Sequence, residues 1–191
     1  MIDTINIIER FYEPGTELYQ LLVKHSTQVA TLARQLALRQ VENHVPVDVE
    51  FVVEAAMLHD IGIIGTNAPG IYCFGTQPYI CHGVIGREML DALGLFRHAL
   101  VCERHTGTGL PLKEIIEQNL PLPHRELMPI NIEEKLVCYA DKFFSKSHPD
   151  CARSVEVTRS KLVKFGGETI ARFDAMHAQF GAPDYSTLNF E

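Results

Sequence analysis

The sequence predicts an all-α, single-domain helical bundle with polar side chains turned into its interior. Three observations carry this reading. Apolar residues recur at helical spacing along most of the 191 residues, and no set of alternating strands competes with them. No repeat, low-complexity tract or shift in composition marks a linker. Hydrophobic residues make up 46% and charged residues 21%, enough to bury a core and too apolar for a disordered chain.

The elements follow in order. Leu18, Leu22, Val29, Leu32 and Leu36 form one stripe of a helix over residues 16–39. Pro46 and Asp48 open a second helix through Val52, Ala55, Ala56 and Leu58, with Gly62 placed to close it. Residues 64–78 carry three Gly and two Pro and read as a loop. A third helix spans residues 79–93, and Gly94 separates it from a fourth over residues 95–105. Gly107, Gly109, Pro111, Pro121, Pro123 and Pro129 allow at most a short helix near residues 112–119. Asn131 followed by Glu134 has the form of an N-cap with its acidic partner and starts a fifth helix through Phe144. Residues 154–180 are helical again, broken at Gly166 and Gly167. The expected organisation is one domain over residues 1–191, with a motif-bearing core at about 16–147 and C-terminal helices over 154–180.

Composition also narrows the function classes. Seventeen Lys and Arg against 24 Asp and Glu give a formal charge of −7, which argues against a nucleic-acid module and against nucleic acid as partner. The five cysteines are odd in number and form no C-x-x-C pair, so neither a disulfide framework nor a zinc ribbon is expected. The opening MIDTINIIERFY lacks the pattern of a signal peptide, and no apolar run reaches the roughly 20 residues that span a bilayer. The expectation is a soluble cytoplasmic protein with no membrane partner; homo-oligomerisation is left open.

Placed on their helices, several polar residues fall on apolar faces. His25 lies between Leu22 and Val29, His59 in line with Val52, Ala55 and Ala56, and Asp60 follows at the helix end. His82 lines up with Ile85, Met89 and Leu93, His105 ends the helix carrying Leu95 and Cys102, and Asp141 follows Val137 and Cys138. Each alone reads as a satisfied core histidine or a cap. Together, two carboxylates and four imidazoles converging in one core are satisfied most simply by one or two divalent cations. Imidazole with carboxylate suits Fe, Mn, Co, Ni or Zn and not a calcium-type oxygen cage. His98 shares a face with Cys102 and His105 and is a rival ligand.

His25, then His59-Asp60 within LHDIG, then Asp141 within YADKF resemble the HD-domain metal-dependent phosphohydrolases over residues 20–147. His82 in CHGVIGREML and His105 in ERHTGTGLP are similar to the two-metal subset, which includes bacterial diadenosine-polyphosphate hydrolases and HD-GYP phosphodiesterases. Ile63 stands where HD-GYP proteins carry a lysine, Gly109-Leu110-Pro111 replaces their GYP, and Arg104 precedes His105 where they double the histidine. The resemblance implies an HD-type bundle with the metal site between helices. It implies that His25, His59, Asp60 and Asp141 hold one metal, and that Asp60 bridges to a second held by His82 and His105.

The implied activity is hydrolysis of a phosphate ester or anhydride in a small phosphorylated compound, expected to be a nucleotide. Two metals roughly 3.5–4 Å apart would activate a bridging water there. Asp60 is then a catalytic residue, and Lys142, Lys146, Arg104 and Arg87 are the candidates for gripping phosphoryl oxygens, the two lysines favoured by their closeness to Asp141. Residues 64–78 and 107–129 adjoin ligands and are expected to wall the pocket. The alternatives are a mononuclear nucleotidase in which His82 and His105 touch substrate, and a non-catalytic metal- or nucleotide-sensing module.

Overall fold

A computed structural model describes residues 2–148 and 151–187, and these form an all-α domain. The helices are α1 (Thr4–Glu9), α2 (Glu17–Glu42), α3 (Val49–Leu58), α4 (His82–Asp91), α5 (Phe96–Arg104), α6 (Leu112–Glu117), α7 (Ile132–Asp141), α8 (Val155–Leu162) and α9 (Gly167–Phe180). Two two-residue strands, β1 (Asn67–Ala68) and β2 (Cys73–Phe74), pair antiparallel inside the expected loop over residues 64–78.

Side-chain caps start several of the helices. Thr16, Asp48 and Ser154 accept from the backbone N–H three residues on, at the starts of α2, α3 and α8. At α7, Asn131 Oδ1 accepts from Glu134 N at 2.8 Å, while Glu134 reaches back to Ile130 N at 2.8 Å. The acidic partner thus satisfies the donor one residue before the cap, a variant of the expected reciprocal pair. Gly94 (φ +75°) and Gly166 (φ +97°) take backbone conformations that L side chains rarely adopt, which breaks the chain at both expected points.

Two apolar clusters share α2. One gathers Val29, Leu32, Leu36, Phe51, Leu136, Tyr139 and Phe173 from α2, α3, α7 and α9. The other gathers Ile8, Leu22, Leu58, Ile61, Ile63, Leu90 and Ala99 from α1, the start of α2, the end of α3 and the turn after it, α4 and α5. His25 lies between Leu22 of the second and Val29 of the first, so the polar centre sits where the two clusters meet.

Two expectations are corrected, and one helix is added. Gly62 does not close α3 as a left-handed cap: α3 ends at Leu58, and residues Ile61–Gly65 continue as a 3₁₀ turn. Gly62 is needed for space instead, because a Cβ there would overlap His82 O and Gly86 N of α4. The expected third helix is α-helical only from His82, and Tyr79–Cys81 before it form a 3₁₀ turn. Finally, the sequence does not reveal α1, since six residues are too few to show a period. The segment after α1 anchors the turn that follows Asp60. The buried Tyr12 hydroxyl donates to Ile61 O at 2.6 Å and accepts from Ile64 N at 3.1 Å, holding that turn from both ends.

Residues 110–127 form a closed excursion. Leu110 and Leu127 exchange both backbone hydrogen bonds at 2.9 Å, and Ile115, Leu122, Leu127 and Cys81 pack beneath it as a small third cluster.

Candidate metal centre

The four histidines and two aspartates picked out by the sequence come together in space. His25, His59, His82 and His105 and Asp60 are buried, and Asp141 is 12% exposed, so the centre faces solvent on the Asp141 side. Their ligand atoms fall into two groups, His25, His59, Asp60 and Asp141, and Asp60, His82 and His105. Within each group the atoms lie within 4.8 Å of one another. Asp60 belongs to both. Its Oδ2 lies 3.1 Å from His25 Nε2 and 3.0 Å from His59 Nε2, while its Oδ1 lies 3.5 Å from His82 Nε2 and 3.4 Å from His105 Nε2. Asp141 Oδ1 completes the first group at 3.0 Å from His25 Nε2 and 3.5 Å from His59 Nε2.

The backbone decides which imidazole nitrogen faces inward. His59, His82 and His105 each stand at the end of a helical turn, and each Nδ1 is 2.6–2.7 Å from the carbonyl three residues earlier, Ala56, Tyr79 and Cys102. A carbonyl only accepts, so each Nδ1 carries the proton and donates it. When neutral, each ring then presents the Nε2 lone pair to the centre, the tautomer a metal requires. His82 Nε2 and His105 Nε2 lie 3.1 Å apart, two lone pairs facing each other. Ligands about 2.0–2.1 Å from one cation stand about 2.9–3.4 Å apart, so this spacing fits donors sharing an ion. Both Asp60 oxygens and His59 Nε2 also lack a partner of good hydrogen-bond geometry despite complete burial. This donor set fits divalent cations.

Charge in the centre is balanced by lysines. Lys146 Nζ pairs with Asp60 Oδ2, and Lys142 Nζ lies 2.8 Å from Asp141 Oδ2. Burial alone would raise the Asp60 carboxyl, but His59 and Lys146 hold it well below the usual carboxylate range. Asp141 is held low in the same way, by Lys142 and Lys146. Burial lowers the His59 imidazole, yet Asp60 and Asp141 beside it more than reverse this and raise it to about 9. His82 is pushed down to about 3 by burial, with His105 and Lys146 adding to the effect, and stays neutral.

These directions predict a proton balance. Without metal, His59 carries both ring protons at neutral pH, and a ligated His59 must lose the one on Nε2. Loading the protein near pH 7.5 should therefore release about one proton per chain, read as a dependence of the calorimetric heat on the buffer's ionisation enthalpy. Affinity should rise with pH and level off above about 9, where His59 is already deprotonated. A heat independent of buffer would contradict this.

Other expected residues are placed elsewhere. Arg104 does not reach the centre. Its Nη1 lies 2.9 Å from Glu134 Oε1, tying α5 to the start of α7, because Glu134 is buried there and needs a cation. Arg87 pairs with Asp91 and the buried Glu103, which Arg125 also contacts. His98 is 3.1 Å from Glu54 Oε2 and joins neither donor group. Of the four basic candidates, Lys142 and Lys146 alone stand at the centre.

A cleft of about 780 Å³ opens beside Asp141. Residues 64–78 contribute Ala68, Gly70 and Ile71 to it, as expected, but residues 107–129 do not line it, their excursion being folded over its own small core. The opposite wall comes from Arg153, Lys161, Leu162, Lys164 and Phe165 around α8, which sequence reasoning misses. It misses Tyr79 too; the Tyr79 ring stacks on His82 with centroids 4.7 Å apart, and burial raises its hydroxyl to about 12. No motif marks these residues, since only tertiary packing brings segments so far apart in sequence to one cleft.

Fold and centre together define a helical domain built around a buried histidine–aspartate cluster. The HD-domain family profile matches residues 22–145, and the chain belongs to that family. Among its relatives, it is 40% identical over 121 residues to an uncharacterised protein of Methanocaldococcus jannaschii, covering 63% of this chain and 64% of the relative. It is 33% identical over 126 residues to a tRNA (cytidine(56)-2'-O)-methyltransferase of Picrophilus torridus, covering 65% of this chain and 32% of that one. The methyltransferase of the same name from Thermoplasma volcanium is 30% identical over 172 residues, covering 89% of this chain and 45% of that one. In each case less than two thirds of the relative's own length is matched. No solved structure gives a significant match. Among the described residues, no helix is long and apolar enough to cross a membrane.

Proposed function

We propose that the protein is a metal-dependent phosphohydrolase acting on a small phosphorylated compound, a nucleotide by preference, with two cations bridged by Asp60. The observation that carries this reading is the division of Asp60, one oxygen toward His25 and His59 and the other toward His82 and His105. Membership of the HD family supports the hydrolase class. Fe, Mn, Co, Ni or Zn suits the imidazole and carboxylate donors.

Bound cations supply Lewis acidity toward phosphoryl oxygens and lower the pKa of a water nucleophile. The chain's own residues do the rest. Asp60 and Asp141 stay ionised at neutral pH because cations surround them, so both remain ligands. Backbone carbonyls lock the ring tautomers of His59, His82 and His105. Lys142 and Lys146 line the cleft, and the carboxylates beside Lys146 keep it protonated, so both offer positive charge to phosphoryl oxygens. Tyr79 stays protonated and presents a hydroxyl donor at the cleft wall. More than half of each methyltransferase relative lies outside the match, so the methyl-transfer activity in their names is not carried over.

The deciding experiment is metal content with turnover. Protein loaded with Mn, Co or Zn should hold two metals per chain, falling to one in a His82→Ala, His105→Ala variant. The loaded protein should release phosphate from a panel of nucleotides and phosphoesters. One metal per chain with turnover would favour a mononuclear nucleotidase in which His82 and His105 touch substrate. Two metals and no release across the panel would leave a metal-holding module.

A further inference from the structure

The cleft beside Asp141 carries more positive charge than one phosphoryl group requires. Lys142, Lys146, Arg153, Lys161 and Lys164 line it against the single carboxylate of Asp141. Lys142 and Lys146 are engaged by Asp141 and Asp60. Among the described residues, Arg153, Lys161 and Lys164 have no carboxylate partner; Arg153 Nη1 makes a 3.4 Å bond to Lys142 O, and Lys164 Nζ lies 4.8 Å from the Phe165 ring centroid. Arg159 on the same helix shows the ordinary arrangement, gripping Asp174 of α9 with two nitrogens at 2.9 and 3.0 Å. Among the described residues, the cleft side of α8 is therefore the side without a carboxylate counter-charge.

A second observation points the same way. Thr158 of α8 also lines the cleft and is only 2% exposed, yet its hydroxyl Oγ1 has no hydrogen-bond partner. A buried hydroxyl without a partner costs stability, and unpaired like charges along one wall repel. An anion with several acceptor oxygens answers both. At about 780 Å³ the cleft also exceeds what a lone phosphate fills and falls in the range that holds a nucleotide-sized ligand.

We propose that Arg153, Thr158, Lys161 and Lys164 form a second anion subsite, which takes a further phosphate beyond the one under attack. The preferred substrate class is then a compound with two or more phosphate groups, such as a nucleoside diphosphate. This rests on the phosphohydrolase reading of the metal centre. All four residues follow the segment matched by the family profile, so the subsite belongs to this chain's C-terminal helices. It also explains how a chain of formal charge −7 presents a cationic face to an anionic substrate.

The test is equilibrium binding by titration calorimetry on the metal-loaded protein. Its probes are adenosine monophosphate and the methylene-bridged analogue of adenosine diphosphate, which cannot be cleaved between its phosphates. The analogue should bind at least about tenfold tighter, and Lys161→Ala with Lys164→Ala should weaken it about tenfold while shifting the monophosphate less than about threefold. Both lysines are exposed, so the double variant should fold. Equal affinity for the two probes, or equal loss of both, would overturn the subsite. Metal-dependent phosphate release across the panel of nucleotides and phosphoesters checks the underlying reading separately. Release without a diphosphate preference sinks the subsite alone, while preference without release removes the hydrolase assignment and leaves the anion subsite standing.

Discussion

Asp60→Asn is expected to abolish metal-dependent phosphate release, with a fall in kcat/KM of about 10³-fold or more and loss of metal from both donor groups. The substitution keeps shape and removes one negative charge at the atom pair that both groups share. Among the described residues no other replaces it: Asp141 faces His25 and His59 but lies in no group with His82 and His105. Stability should suffer as well. Lys146, buried in contact with Asp60, would keep only the more distant Asp141, and His59 would lose one of the two carboxylates that hold its proton. Breaking a buried ion pair on one side costs about 3–5 kcal/mol. In a chain of this size that lowers the melting temperature of metal-free protein by roughly 6–20 °C. Phosphate release, metal content and thermal unfolding check the three parts. A variant retaining both metals and near-parent turnover would remove Asp60 from the bridging role.

Gly62→Ala is expected to destabilise the fold by about 3 kcal/mol or more, because the new methyl group meets backbone rather than a movable side chain. Its Cβ would overlap His82 O and Gly86 N and stand 2.9 Å from Gly86 Cα. Relief requires α4 to move away from the 61–65 turn. His82 is the first residue of α4, so the strain falls directly on a proposed metal donor. The melting temperature should drop by about 6–12 °C, and metal content should fall toward one per chain. Gly65→Ala is the control. There the Cβ meets only the Ile85 side chain, at 3.1 Å, which can shift, and the cost should stay under about 1 kcal/mol. Equal melting temperatures for the two variants would show that the close approach at Gly62 carries no load.

The contrast between these glycines shows how far the sequence could be read. Gly62 stands within LHDIG and is conspicuous there, but the sequence suggests a helix stop, the usual role of a glycine after an apolar run. The close approach of α4 is a contact between segments about 20 residues apart, and local pattern does not contain it. The same limit explains α1, whose six residues show no period and whose following Tyr12 acts on a turn 49 residues away. Arg104 fails in the opposite direction. Its neighbour His105 makes it conspicuous, yet adjacent residues on a helix point about 100° apart. His105 turns to Asp60, and Arg104 turns to the buried Glu134.

By itself the sequence determined the helical class, the helix starts at Asp48 and Asn131, and the six residues of the histidine–aspartate cluster. Helical periodicity and capping are properties of neighbouring residues, and a polar side chain on an apolar stripe reports its own burial. Only the tertiary structure decided how Asp60 divides between the two groups, which cations stand at the centre, and that α8 rather than residues 107–129 walls the cleft. Those are relations between segments distant along the chain, set by how the helices pack over two apolar clusters that meet at His25.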